Sequence, residues 1–188
     1  MSDRTSLPTA PRIPPLAASQ WTDEIREFFA QREASGAQPD LSRFNIALTL
    51  AHHPDLAIPY LKFGMHILNG STLPDRVREI VTLRTAWLYR SEYQWVKHAE
   101  AARRTGMTAQ EIEAVKAGAD APGWSDFERH ALRAVDQLRN TAAIDDETWN
   151  GLAGQLDRRQ LLDLLFTVGS YAMLAMVLNG IGVRLEAD

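Results

Sequence analysis

Apolar positions recur at spacings of three and four along most of the chain, and that period predicts helices. Trp21, Ile25, Phe28 and Phe29 mark a first helix over 20–33, with Gly36 just beyond its end. A short apolar helix follows over 42–51. Pro54 is the favoured residue type for a first turn. It opens a third helix that runs to about Leu68 and stops at Asn69-Gly70, with Pro59 placed to bend its second turn. Pro74 opens a fourth, where Asp75 favours the positive end of the helix dipole. The fifth begins at Ser91 and ends at Gly106. Thr108 with Glu111, and Ser125 with Glu128, each form the S/T-x-x-E capping box. They start a sixth helix reaching about Ala117 and a seventh reaching Asn140, with a loop at 119–124 between them. Asp145–Leu156 is an eighth, and Asp157 and Gln160 cap the last, which runs to Asn179-Gly180.

No segment alternates with a period of two between turn residues, so no strand is expected. The fold class is all-α, a bundle of about eight or nine helices. Residues 1–18 hold Pro8, Pro11, Pro14 and Pro15 and read as an extended arm. Its Ile13 and Leu16 are suited to draping over a neighbour. Residues 19–188 read as a single helical domain.

Composition narrows the function classes. The net charge is −4, and no region concentrates Lys and Arg enough to neutralise a run of phosphates, which argues against nucleic-acid binding. There is no cysteine, so disulfides, thiolate metal sites and thiol redox cycles have no atoms to run on. His52, His53, His66 and His130 are scattered without a metal-ligand spacing, so no metal and no cofactor is expected. The N-terminus shows no secretory pattern, which points to a cytoplasmic protein. The stretch 161–183 is nearly long enough to span a bilayer, but Asp163, Ser170, Tyr171 and Asn179 interrupt it. It reads as a buried core or subunit-interface helix, not a membrane span.

Residues 72–106 are where polar groups recur on apolar helical faces. On the fourth helix, Val77, Ile80, Val81, Leu83, Trp87 and Leu88 form a wide apolar surface, while Glu79, Thr82, Ala86 and Tyr89 share another face. Glu79 there can serve proton transfer, or pair with an arginine such as Arg78 or Arg84. On the fifth helix, Ser91, Trp95, His98 and Ala102 share a face, with Gln94 one turn before His98. A histidine so placed can exchange protons near neutral pH or sit as a satisfied core residue. Ser91 and Gln94 also fit the S-x-x-Q capping box, which needs no chemistry to explain it.

The segments R-E-x-V-x-L-R-x-A from Arg78, S-E-Y-x-W-x-x-H from Ser91 and A-R-R-x-G-M-T-x-x-E-I from Ala102 carry a resemblance. Glu79 is followed by Ser91 twelve positions on and His98 seven further. This resembles the carboxymuconolactone decarboxylase and alkylhydroperoxidase D-like superfamily, closely over about 73–112 and loosely on either side. In its peroxidase branch the pattern is a Glu, then a C-x-x-C opening the next helix, then a His four residues after the second Cys. Glu79 and His98 take the Glu and His positions, while Ser91 and Gln94 stand where the cysteines would be. The decarboxylase branch places E-x-x-x-H on the second helix, and Gln94 stands where that Glu would be. The resemblance implies an all-α homo-oligomer with its site beside this helix pair.

The expected activity is that of a lyase or isomerase acting by proton transfer on a small carboxylated or lactone substrate, and not that of a thiol peroxidase. His98 would be the acid/base, with Glu79 orienting it or carrying a proton. Tyr93 or Ser91 would donate to a developing oxyanion, with Gln94 holding a substrate oxygen. Arg78 or Arg84 would bind a carboxylate with two prongs. The alternative is a non-catalytic oligomeric binding protein that kept the pocket after the thiols were lost. Trp87, Trp95, Phe63 and Met65 are candidates for lining a pocket.

Overall fold

The computed structural model describes residues 8–35 and 40–186. Gly36 and the first seven residues of the arm lie outside them. Among the described residues the chain is helical throughout, with nine α-helices and no strand. They are α1 (Asp23–Ala34), α2 (Asn45–Leu50), α3 (Pro54–Met65), α4 (Asp75–Leu88), α5 (Glu92–Arg104), α6 (Ala109–Ala114), α7 (Asp126–Thr141), α8 (Asp146–Ala153) and α9 (Arg158–Ile181). The chain divides into two compact units, one of residues up to His66 with those from Val177 onward, the other Ile67–Met176.

The first unit is built on α1, α2 and α3. Thr22 caps α1 by accepting from the Ile25 amide at 3.3 Å. Ile25, Phe28, Phe29, Leu41, Ala47, Ala57 and Leu61 form its core, and Leu16 of the arm is buried among them. The Leu16 amide donates to the Leu48 carbonyl at 3.1 Å, and Arg12 donates to the carbonyls of Gly180 and Ile181 at 2.8 Å. The described part of the arm therefore packs within its own unit through Leu16, while Ile13 stays exposed. Helix α3 continues through Pro59 and closes in a single π-turn at His66–Gly70.

The second unit is organised around α4. Every residue from Glu79 to Ala86 is buried. One side of α4 sends Val77 and Val81 into a core with Ala131, Val135, Leu152, Leu164 and Val168 of α7, α8 and α9. The opposite side sends Ile80 and Leu83 into a second core with Ala99, Ala102, Ile112 and Val115 of α5, α6 and the turn after it. Helix α9 is long and apolar enough by itself to cross a bilayer, with a mean hydropathy of 1.9. Half of that apolar stretch is buried within the protein, including Leu161, Leu164 and Val168.

Local signals set most helix starts. Thr108 and Ser125 close both capping boxes, Asp145 accepts from the Thr148 amide at 2.8 Å, and Asp157 and Gln160 cap α9 reciprocally at 3.0 and 2.9 Å. One arginine joins the two boxes. Arg76 of α4 donates to Glu111 at 2.6 Å and to Glu128 at 2.7 Å. The Arg76 bond, with the donors of Thr108, pulls the Glu111 carboxyl down to about 2. Burial opposes the same effect at Glu128, but Arg76 and Ser125 outweigh it and its carboxyl is also lowered.

The end of α6 departs from expectation. The helix stops at Ala114 and continues as a 3-10 turn, Val115–Asp120, with Gly118 at φ +79°. Arg84 is the cause. Its guanidinium takes the carbonyls of Val115 and Lys116 at 3.0 and 2.7 Å and pairs with Asp136 at 2.7 and 3.0 Å. A β-carbon on Gly118 would lie 2.7 Å from the Arg84 Nη2.

Two outcomes test this packing. Gly118→Ala meets both a left-handed backbone and the Arg84 guanidinium, so it should destabilise by about 2–4 kcal/mol in urea unfolding. For Arg76→Gln the sign comes from depressed carboxyls. Their stabilisation is full above the unfolded value near 4.5 and is lost as pH falls towards about 2. The variant should lose about 1–2 kcal/mol at pH 7, and its gap from the parent should close progressively below pH 4.5.

Candidate functional site

The site is built by three helices of the second unit. A tight turn sets the angle between α4 and α5. The Ser91 amide donates to the Ala86 carbonyl at 2.9 Å and the Arg90 amide to the Trp87 carbonyl at 3.1 Å. Arg90 sits between them at φ +56°. This is the Schellman arrangement with arginine in the left-handed position that glycine usually fills. It reverses the chain in two residues, so the polar faces of α4 and α5 meet.

Glu79 and His98 meet there. His98 Nδ1 lies 2.8 Å from Glu79 Oε2, and the two are 9% and 1% exposed as residues. With Glu79 ionised, Nδ1–H donates to the carboxylate, which leaves Nε2 as the nitrogen for proton exchange. Arg78 Nε stands 3.5 Å from the other carboxylate oxygen, close enough for charge but outside hydrogen-bond geometry. Arg78 Nη1 donates to Asp75 at 2.8 Å. The contacts therefore run in a chain from Asp75 through Arg78 and Glu79 to His98.

Tyr171 of α9 completes the contact. Its ring meets the His98 imidazole edge-on, with centroids 4.8 Å apart. Its backbone carbonyl accepts from Gln94 Nε2 at 3.1 Å. The sequence pattern does not single out this residue as part of a site. The signal lay in the looser downstream similarity, where a tyrosine and Ser170 interrupt an otherwise apolar helix.

Ser91 and Gln94 correct the capping-box alternative. Ser91 is the N-cap of α5, but its side chain makes no capping bond. Its Oγ is buried without a hydrogen-bond partner, and so is Gln94 Oε1. The Gln94 amide is turned towards α9, which prevents it from reaching back to the Ser91 amide. Thr82 Oγ1 and Thr167 Oγ1 are likewise buried and unpartnered. Thr82 lies one turn beyond Glu79 on α4, and Thr167 one turn before Tyr171 on α9.

Other expected residues lie elsewhere. Arg84 is a scaffold residue, because four of its N–H contacts go to Asp136 and to two carbonyls. It is not placed to grip a substrate carboxylate. Tyr93 is buried, but five residues from His98 puts it on the other side of α5, beside Lys97 at 5.9 Å. Trp87 and Trp95 pack on one another at 5.9 Å, with Lys116 Nζ over both rings at 5.1 and 4.9 Å. Phe63 and Met65 are on α3, in the first unit. Among the described residues, no three His, Asp or Glu side chains are grouped to hold a metal.

The Carboxymuconolactone decarboxylase family model matches residues 54–137. Over that stretch the chain is similar to the carboxymuconolactone decarboxylase family, and it has no cysteine. The match includes Glu79, Ser91, Gln94 and His98. Comparison with curated proteins gives no match. Solved structures share the fold. A peroxidase-related protein from Silicibacter sp. TM1040 superposes with a TM-score of 0.77 at 17% identity, over 98% of this chain and 96% of that one. The debrominase Bmp8, as a cysteine-to-alanine variant with 2,3,4-tribromopyrrole, gives 0.71 at 18% over 95% and 94%. An alkylhydroperoxidase AhpD core protein from Ralstonia eutropha JMP134 gives 0.71 at 16% over 93% of each chain. At these identities the likeness shows the alkylhydroperoxidase D-like fold.

The unpartnered hydroxyls have a measurable consequence. A buried polar atom without a partner costs more than an apolar atom of the same shape. Ser91→Ala and Thr82→Val should each leave the ligand-free protein as stable as the parent or stabilise it, by up to about 1 kcal/mol in urea unfolding. A clear loss of stability in both would mean that the hydroxyls are bonded within the protein.

Proposed function

We propose that this protein is a proton-transfer enzyme, a lyase or isomerase acting on a small carboxylated or lactone substrate. The observation that carries the reading is the 2.8 Å contact between His98 Nδ1 and Glu79 Oε2, buried where three helices meet. Glu79 fixes the imidazole's orientation and tautomer, and Nε2 is the proton-exchanging atom. In decarboxylation of a conjugated lactone, the C–C bond to the carboxylate breaks and carbon dioxide leaves. The electron pair moves into the carbonyl, giving an enolate. Protonated His98 delivers a proton to carbon and is recharged from solvent. Arg78 is the residue proposed to attract the substrate carboxylate, since it stands beside Glu79 and Arg84 is committed elsewhere. Ser91 keeps its proposed role as donor to the developing oxyanion, supported by its unpartnered Oγ, and Tyr93, on the other side of α5, is not assigned that role. The step uses no metal or cofactor.

The debrominase that shares this fold holds a small ring compound, which supports small-molecule binding here. The shared fold is an analogy, and the chemistry rests on the residues. A peroxidase cycle is not proposed, because a hydroxyl and an amide cannot form or reduce a disulfide. We also propose a cytoplasmic location and a homo-oligomer, the latter supported by Leu162, Phe166, Met173 and Met176, which leave an apolar stripe exposed along α9. A second reading, a binding protein without turnover, is supported by Ser91 and Gln94, which replace both residues that do chemistry in the peroxidase branch.

The test is carbon dioxide release from a panel of carboxylated lactones. The parent protein should turn over at least one of them. His98→Gln should lower that rate by about 10²–10⁴-fold while its circular dichroism stays that of the parent. Unchanged turnover in the variant would remove His98 from the mechanism. Saturable binding without release would favour the second reading.

A further inference from the structure

We propose that the buried polar groups beside His98 form a subsite for an uncharged ligand end that presents an N–H or O–H donor. This rests on the reading that a small molecule binds beside the Glu79–His98 pair. Gln94 is the deciding residue. Its Nε2 lies 3.1 Å from the Tyr171 carbonyl, and a carbonyl oxygen can only accept. The amide orientation is therefore fixed by chemistry, and Oε1 faces away from that bond. Oε1 is a pure acceptor on a residue 2% exposed, and it has no partner in the protein. Only a hydrogen-bond donor satisfies it. An anionic oxygen would be repelled there, and an apolar group would leave it bare.

Ser91 sets the second half of the complement. It is three residues before Gln94 on the same face of α5, 1% exposed, and its Oγ has no partner. A hydroxyl both donates and accepts, so it can donate to a carbonyl or ring oxygen carried next to the ligand's own donor. Thr82 and Thr167, both fully buried and unpartnered, bring the same two-way chemistry from the adjacent turns of α4 and α9. The three helices that carry Glu79, His98 and Tyr171 thus each hold an unmet polar atom within about one turn of those residues. A packed core normally satisfies or removes such atoms. The pattern fits a subsite that is completed by its occupant. The ligand class is a small molecule with a neutral end that carries a donor next to an acceptor, such as a lactam, a hydroxy-lactone or an enol. Any carboxylate it carries is directed to Arg78, away from Gln94.

The rival occupant is an internal water, which would satisfy the same atoms. Two isosteres separate the cases. 2-Pyrrolidinone and γ-butyrolactone differ in one ring position, N–H in the first and oxygen in the second. Titration of the ¹⁵N-labelled protein, followed by NMR, gives a dissociation constant for each. The lactam should bind about tenfold or more tightly than the lactone. Gln94→Leu should abolish that preference, whereas Ser91→Ala should weaken both compounds and keep it. Should Gln94→Leu not fold, the parent's Gln94 side-chain amide resonances give the same answer, moving with the lactam and not with the lactone. Equal affinities, a preference that survives Gln94→Leu, or no saturable binding of either compound would overturn the proposal. Turnover is not read in this experiment, so failure of the lactone chemistry and failure of this subsite are told apart.

Discussion

A carboxylate sunk into a helix that is buried without a break from Glu79 to Ala86 has to be compensated, and the arrangement of α4, α5 and α9 reflects how that is done. Moving a charge out of water costs several kcal/mol even after relaxation. Glu79, at 1% exposure, is met by His98 on one carboxylate oxygen and by the Arg78 guanidinium near the other. His98 comes from α5, so α5 must lie against α4 at that level. The two-residue reversal through Arg90 brings it there. The imidazole is then held on its remaining side by the Tyr171 ring, which draws α9 into the same place. One buried acid is thus tied into contacts that join three helices.

Much of this was legible in the sequence because it is local. Helix starts are read from short-range chemistry, and Thr108, Ser125, Asp145 and Asp157 all cap the helices they precede. The convergence of Glu79 and His98 was implied by the family resemblance, since helical spacing alone left Glu79 open to an arginine partner and His98 to a core role. What escaped depends on partners distant in sequence. Helix α6 ends early because Arg84, 31 residues away from Val115, diverts its carbonyls. Tyr171 reaches Gln94 across 77 positions, and no periodicity on α5 foretells that the Gln94 amide would turn to α9 instead of capping its own helix. A capping box is only one option for S-x-x-Q. A carbonyl presented by another helix outcompeted it.

The two substituted positions show what changes when thiols are removed from such a site. A thiol is a weak donor and a weak acceptor, so a buried pair of them makes few demands on its surroundings. A hydroxyl and an amide demand partners. Here the protein satisfies one end of the amide, through Nε2, and leaves Ser91 Oγ and Gln94 Oε1 unmet. Compared with the thiol pair of the resembled family, Ser91 and Gln94 give the surface beside His98 hydrogen-bonding chemistry in place of sulfur reactivity.

That change bears on how the acid–base pair is used. A thiol next to an imidazole gives the proton a local destination, and the pair can work on sulfur. With serine and glutamine in those places, neither neighbour exchanges a proton readily near neutral pH. On the proposed reading, Glu79 holds one ring nitrogen of His98 and the substrate is the partner of the other. An imidazole oriented by Glu79, with Ser91 and Gln94 and no thiol on its own helix face, is the physical reason for placing the proposed chemistry on a ligand and not on the chain itself.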